Sequence, residues 1–413
     1  MTPVWGRSAV ATSIGMTQPA LSRTIGSVPR SNWVLGAAIV VWAFIGFYLA
    51  HWGAGWALDL RVYRAAGHSL YHHGAPYSSL FTANRLPFTY PPFALLVLSP
   101  LSLGPLAVIK GLWWLCNGIA LIGLLYLAIV TALGVSRRSA LLLAAAGAAV
   151  GTLALEPLRS NLDYGQINLL LIALVVVDTT RVRGRARGLL IGVAAAIKLT
   201  PLVYLVYFVV DRDRRSALRG VACFVAATAL AWLIVPSDST RYWFHEAFSP
   251  ARTGPVGFVS NQSWNGVVHR APFHAGGFGV ALWVVAAALT LVVGVLAARW
   301  LVGLGHTVDA LLALALTELL VSPISWSHHW SWVVIVPVVL VERWGKDRIL
   351  TIALTAVLVI AMAEPYWWSV HGWLGDLLGN SLTFAGATLL VVLALGARRE
   401  VRSMTGPDAL AAR

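Results

Sequence analysis

Charge is scarce in this 413-residue chain: 11% of its residues are Asp, Glu, Lys or Arg, while 58% are hydrophobic. Polar surface this sparse cannot cover a soluble globule of such length, which excludes a water-soluble fold. Cysteine is nearly absent too. Cys116 and Cys223 both sit inside apolar runs, leaving neither a disulfide framework nor a cysteine metal site. No glycine loop of the phosphate-cradling kind occurs, and the polar loops are too short for a nucleotide-binding domain, so a donor substrate should already reside in the membrane. Acids are the scarcer charge, 16 against 30 Lys and Arg, for a net charge of +14.

What the chain does have is apolar runs of about 20 residues, recurring along its whole length, and a mean hydropathy of +0.76. These predict an all-α polytopic membrane protein with about ten full transmembrane helices, plus partial elements that re-enter or lie along the interface. The basic excess clusters in short loops, at Arg137-Arg138, Arg181 to Arg187, Arg212 to Arg219, Arg343 to Arg348 and Arg398 to Arg402. That is the positive-inside pattern, with anionic lipid headgroups as contacts and no nucleic acid.

Walking out from these loops fixes an expected topology. Residues 1–31 form a flexible cytoplasmic tail, 32–397 one membrane domain, and 398–413 a second cytoplasmic tail. External loops fall at 52–91, 237–276, 322–330 and 364–380. The arrangement puts 21 of the 30 Lys and Arg in the cytoplasm and ten of eleven histidines at or near the outer face, His306 being the exception. The chain is therefore expected in the plasma membrane with its chemistry on the external side. Residues 92–103 are short for a span. Residues 188–210 lie between two arginine clusters and predict two half-helices joined at Thr200-Pro201, with Lys198 near the turn.

Asp59 is the one carboxylate between Trp52 and Pro91, among Arg61, Arg64, His68, His72, His73 and Arg85. It reads equally as a general base facing an anionic substrate or as the cap of a helix over 60–73. Lys198 is costly in an apolar segment, and either neutralises a phosphate or pairs with a buried acid such as Glu318. His328 and His329, between Trp326 and Trp330, are interfacial or donate to a phosphate; they have no third ligand at a metal spacing, and no metal or other cofactor is expected. Most of the 19 tryptophans belong to interfacial belts, though some should line a cleft. The segments Asp163 to Asn168 and Asn261 to Gly266 carry amides and aromatics suited to hydroxyl-rich ligands, or simply to turns.

Six segments occur in one order: Leu58 to Tyr63, Pro87 to Phe93, Asp163 to Asn168, Ile197 to Pro201, Asn261 to Gly266 and Ser325 to Trp330. The series resembles the polyprenol-phosphate-mannose-dependent α-(1→2)-mannosyltransferases of glycosyltransferase family 87, GT-C-fold enzymes of the actinobacterial envelope, over roughly residues 55–335. The resemblance implies a polyprenol-phosphate-mannose donor and a mannosylated glycolipid acceptor, either a phosphatidylinositol mannoside or lipomannan and lipoarabinomannan. It implies Asp59 as the base of an inverting transfer, and Lys198, His328, His329 and Arg64 around the donor phosphate. Tyr63, Tyr90, Gln166, Asn261, Gln262 and Asn265 would then contact sugar. Two rivals remain: a same-fold arabinofuranosyltransferase using polyprenyl-phosphate-arabinose, and a lipid-linked-sugar flippase. A flippase would need paired gating features that the short arginine loops lack.

Overall fold

The computed structural model describes residues 57–405 except 248 and 272–276, together with Trp42, Ile45 and Gly46. The expected tail 1–31, most of the span 32–51, the start of the 52–91 loop and residues 406–413 lie outside the described residues. The helices are α1 (Leu58–Tyr71), α2 (Pro92–Leu98), α3 (Leu106–Leu133), α4 (Arg137–Ala154), α5 (Glu156–Tyr164), α6 (Asn168–Thr180), α7 (Leu189–Ile197), α8 (Leu205–Val210), α9 (Arg214–Ile234), α10 (Pro236–Arg241), α11 (Trp264–Arg270), α12 (Gly277–Gly303), α13 (Thr307–Val321), α14 (Val336–Arg343), α15 (Arg348–Ala363), α16 (Gly372–Gly379) and α17 (Ser381–Thr405). One hairpin, β1 (Leu80–Phe81) with β2 (Leu86–Pro87), pairs antiparallel with Leu80 opposite Pro87.

Helix ends follow local chemistry. Ser136, Asp213 and Asp347 cap α4, α9 and α15 by accepting first-turn backbone N–H groups, and Gly134 ends α3 in the left-handed conformation. Among the described residues four helices, α3, α9, α12 and α17, are long and apolar enough to cross a membrane. A fifth span results if α4 and α5 count as one element bent by 86°, with Pro157 in the first turn of α5. Among the described residues the ten full spans expected from the sequence are not found; Pro92–Ser102, Asn168–Thr180, Thr200–Val210 and Arg348–Ala363 are apolar but only 10–17 residues long. Apolar runs give total hydrophobic length, but not where the backbone breaks. The final helix also continues to Thr405, past the expected boundary at 398. On α12, Phe278, Val280, Val284, Leu289 and Val292 are exposed, a surface that needs hydrocarbon around it.

Two local features position the site. The 188–210 stretch is two short helices, as its arginine flanks imply, and the break falls at Lys198 itself, in extended backbone (φ −147°, ψ 131°). A 3₁₀ turn, Thr200–Tyr204, follows, with Pro201 in its first turn, where a missing N–H costs nothing. Around α1, Leu60, Tyr63 and Ala66 bury against Phe88, Tyr90, Ala94, Leu95 and Leu98. The short 92–102 element is thus the floor under the Asp59 helix.

Candidate active site

Asp59 sits in the first turn of α1, but it is not the cap. The cap is Ala57 in left-handed backbone (φ 58°), with no side-chain bond, and the helix runs 58–71 rather than 60–73. Ala57 N–H donates to the Asp163 carbonyl at 2.5 Å, tying the start of α1 to the α5–α6 turn. Gly165 in that turn has φ +68°, and a Cβ there would lie 2.9 Å from Leu60 Cβ and 3.2 Å from Ala57 Cα. Only glycine permits this approach. It brings Gln166 to Asp59: the Gln166 side chain hydrogen-bonds the carboxylate, and its carbonyl accepts from Tyr90 (2.8 Å) and Tyr63 (3.2 Å). Burial pushes the Asp59 carboxyl up to about 6, while the Gln166 bond and the Lys198 charge pull it back. A carboxylate at that poise suits proton abstraction near neutrality.

Lys198 faces the same space. Its Nζ donates to Asn168 Oδ1 at 2.7 Å, lies 3.2 Å from His329 Nε2, and stands 5.7 Å from the centre of the Tyr90 ring. Asn168 is held in turn, donating to Asn161 Oδ1 (3.0 Å) and the His328 carbonyl (3.2 Å). No ion pair with Glu318 forms among the described residues. Glu318 accepts from Tyr204 at 2.6 Å instead, and a pocket of about 20 Å³ lined by Lys198, Tyr204 and Glu318 has room for one water. His328 Nε2 is buried and has no hydrogen-bond partner.

Asp59, Tyr90, Gln166, Lys198, His328 and His329 all line one cavity of about 660 Å³, within the ~300–1,000 Å³ of small-ligand sites. Other expected residues do not. Tyr63 is 1% exposed and stands behind Tyr90, its hydroxyl 2.9 Å from that of Tyr90. Arg64 turns away and donates to the Leu101 carbonyl. Asn261, Gln262 and Asn265 bond the chain itself. Asn261 Oδ1 accepts from Ser325 N–H (2.8 Å), Gln262 Nε2 donates to the Gly379 carbonyl (2.7 Å), and Asn265 Nδ2 to the Pro323 carbonyl (3.0 Å). They brace the histidine loop, each amide donating to or accepting from the protein's own backbone, and none of the three lines the cavity. Asn261→Ala should therefore lower stability by about 2–4 kcal/mol, since it strips partners from buried backbone groups. Thermal melting in detergent checks this; unchanged melting with a raised acceptor KM would restore the sugar-contact role.

The sequence reading also missed part of the wall. Tyr164, Arg252, Trp326 and Trp367 line the cavity. Arg252 donates to the Tyr77 carbonyl at 2.6 Å and pairs with Glu246, joining the 77–90 loop to the segment after α10. Asn168, Trp326 and Tyr164 stood inside the segments that carry the resemblance, whereas Arg252 lies in no motif, and no sequence signal marks it.

A carboxylate, an ammonium and two imidazoles on one aromatic-walled cavity are a fit for moving a group between an anionic leaving group and a hydroxyl. Residues 88–323 match glycosyltransferase family 87. Curated relatives align over most of the chain. A Mycobacterium tuberculosis polyprenol-phosphate-mannose-dependent alpha-(1-2)-phosphatidylinositol pentamannoside mannosyltransferase is 37% identical, over 80% of this chain and 77% of its own. The Mycolicibacterium smegmatis enzyme of the same description is 36% identical, over 79% and 78%. A second M. smegmatis protein, a phosphatidylinositol mannoside mannosyltransferase, is 33% identical over 85% and 84%. The chain belongs to glycosyltransferase family 87. This glycosyltransferase is a predominantly helical membrane protein, and enzymatic group transfer displaces the flippase reading.

Proposed function

We propose that this glycosyltransferase moves mannose from polyprenol-phosphate-mannose to the 2-hydroxyl of a mannose on a phosphatidylinositol mannoside, forming an α-(1→2) linkage at the outer face of the plasma membrane. The observation that carries the reading is the placement of one carboxylate, Asp59, across a shared cavity from Lys198, His328 and His329. The names of the relatives supply the donor and the acceptor class.

In the proposed step Asp59 takes the proton of the acceptor 2-hydroxyl as that oxygen attacks the anomeric carbon. The bond from that carbon to the phosphate oxygen breaks on the opposite face, and polyprenyl phosphate leaves. A β-linked donor then yields an α product by one inversion, and a single base suffices because the leaving phosphate needs charge neutralisation rather than a proton. Lys198 supplies that charge; the histidine pair, held uncharged by burial and by Lys198, assists only by hydrogen bonding, with Tyr90 and Gln166 beside the sugar. Arg64 has no part in it. Aromatic faces such as Trp326 and Trp367 suit a sugar ring or a prenyl chain.

Membranes carrying the protein, supplied with labelled polyprenol-phosphate-mannose and a phosphatidylinositol mannoside, should yield a longer lipid whose label is released by an α-(1→2)-specific mannosidase. Incorporation from polyprenyl-phosphate-arabinose instead of the mannose donor would transfer the reading to the arabinofuranosyl alternative.

A further inference from the structure

At the end of α13 remote from the cavity lies a charged cluster that the transfer reaction does not use. Asp309 and Glu318 stand nine residues apart on this helix, about 14 Å at 1.5 Å per residue, so the cluster is well removed from Lys198. Here His306, Asp309, Glu342, Arg343 and Glu400 converge from the α12–α13 loop, α13, the end of α14 and α17. His306 is the one histidine that the sequence topology leaves on the far side.

We propose that His306, Asp309 and Glu342 form a binding site for a divalent transition metal of the zinc class. One ligand atom from each lies within 4.8 Å of the other two. Asp309 is fully buried, and its two oxygens are used unequally. Arg343 directs both Nε and Nη2 at Oδ2, and Oδ1 is buried with no partner. A guanidinium free to choose would take both oxygens; a metal ion on Oδ1 completes the carboxylate.

His306 is oriented for the same purpose. Its Nε2 lies 3.2 Å from Glu400 Oε1, and its Nδ1 faces Glu342 Oε1 at 3.5 Å. That second separation is long for a hydrogen bond but close to the ~3.4 Å edge of a tetrahedron with bonds of about 2.1 Å. A proton on Nε2 donated to Glu400 leaves Nδ1 as a lone-pair donor, the carboxylate–histidine–metal arrangement. Charge agrees. Three carboxylates, Asp309, Glu342 and Glu400, face one guanidinium, so with a neutral imidazole the cluster carries two uncompensated negative charges, which a divalent cation cancels. One nitrogen with two carboxylate oxygens favours zinc or manganese over magnesium, which prefers oxygen alone. The ion would tie the start of α13 to the end of α14, with α17 joined through Glu400 on the His306 ring.

The test is calorimetric titration of the full chain, stripped with chelator in detergent, with ZnCl₂, MnCl₂ and MgCl₂. One saturable Zn²⁺ per chain is expected, with weaker Mn²⁺, no Mg²⁺, and a rise in melting temperature on adding Zn²⁺. His306→Gln and Glu342→Gln should each weaken Zn²⁺ binding at least 100-fold, and Glu400→Gln about 10–100-fold, as a group that only orients the imidazole. Co²⁺ in the unaltered protein should give d–d absorption of tetrahedral intensity, which needs no variant to fold. No saturable Zn²⁺ binding, binding indifferent to both substitutions, or a melting temperature that responds to pH but not to Zn²⁺ would each overturn the site. The last would mark a protonated His306 held by its carboxylates. None of these readouts depends on which sugar the enzyme transfers.

Discussion

Asp59→Asn should cut kcat/KM for mannosyl transfer by about 10³-fold or more, within the ~10²–10⁴-fold range for loss of a positioned general base. The substitution keeps the shape and the bond to Gln166, so thermal melting should move little. Because Asp59 is the base proposed on the acceptor hydroxyl, the loss belongs to the transfer step and not to donor binding. The same group sets the pH dependence. Burial holds its pKa at about 6, and only the ionised form can accept a proton. Activity should therefore be present above that value and fall as pH drops through about 6, with kcat/KM reporting the free enzyme. Single-turnover transfer from labelled donor in membranes, followed between pH 5 and 8, measures both. A rate in the Asn variant within tenfold of wild type would remove Asp59 as the base.

Lys198→Met is expected to lower kcat by roughly 10²–10³-fold, the effect of removing one preorganised charge from a developing anion. Its effect on stability should be small. A cation in an apolar segment is a cost to folding, and losing it offsets the unpaired carbonyl left on Asn168. If Lys198 served as a structural tie to Glu318, the outcome would reverse, with a large loss of stability and near-normal turnover in whatever protein remained folded. Melting and kcat measured on the same preparation tell the two apart.

How much of this was legible beforehand differs from residue to residue. The half-helices around Lys198 could be read because two arginine clusters flank 23 residues, too few to cross twice. Asp59 and Lys198 stood out because a lone acid among bases and a cation among aliphatics violate local pattern. The number of full spans was not legible, since the 86° bend before Pro157 breaks a run that looks continuous and other apolar helices stop after 10–17 residues. Nor was the duty of Asn261, Gln262 and Asn265. An amide suits a sugar hydroxyl and a backbone carbonyl equally, and only the approach of 323–327 and Gly379 shows that the protein itself uses them.

Composition and charge distribution by themselves determined that this is a helical membrane protein, because 58% hydrophobic residues leave no other way to bury the chain. The ordered segments from Leu58 to Trp330 determined the family. The meeting of Asp59, Gln166, Lys198 and the histidine pair was decided only in three dimensions. It depends on a left-handed Gly165 without a Cβ, on Asn168 spanning α6 to the histidine loop, and on the amide brace beneath that loop. These contacts join residues 58 to 160 positions apart, and no local pattern encodes them.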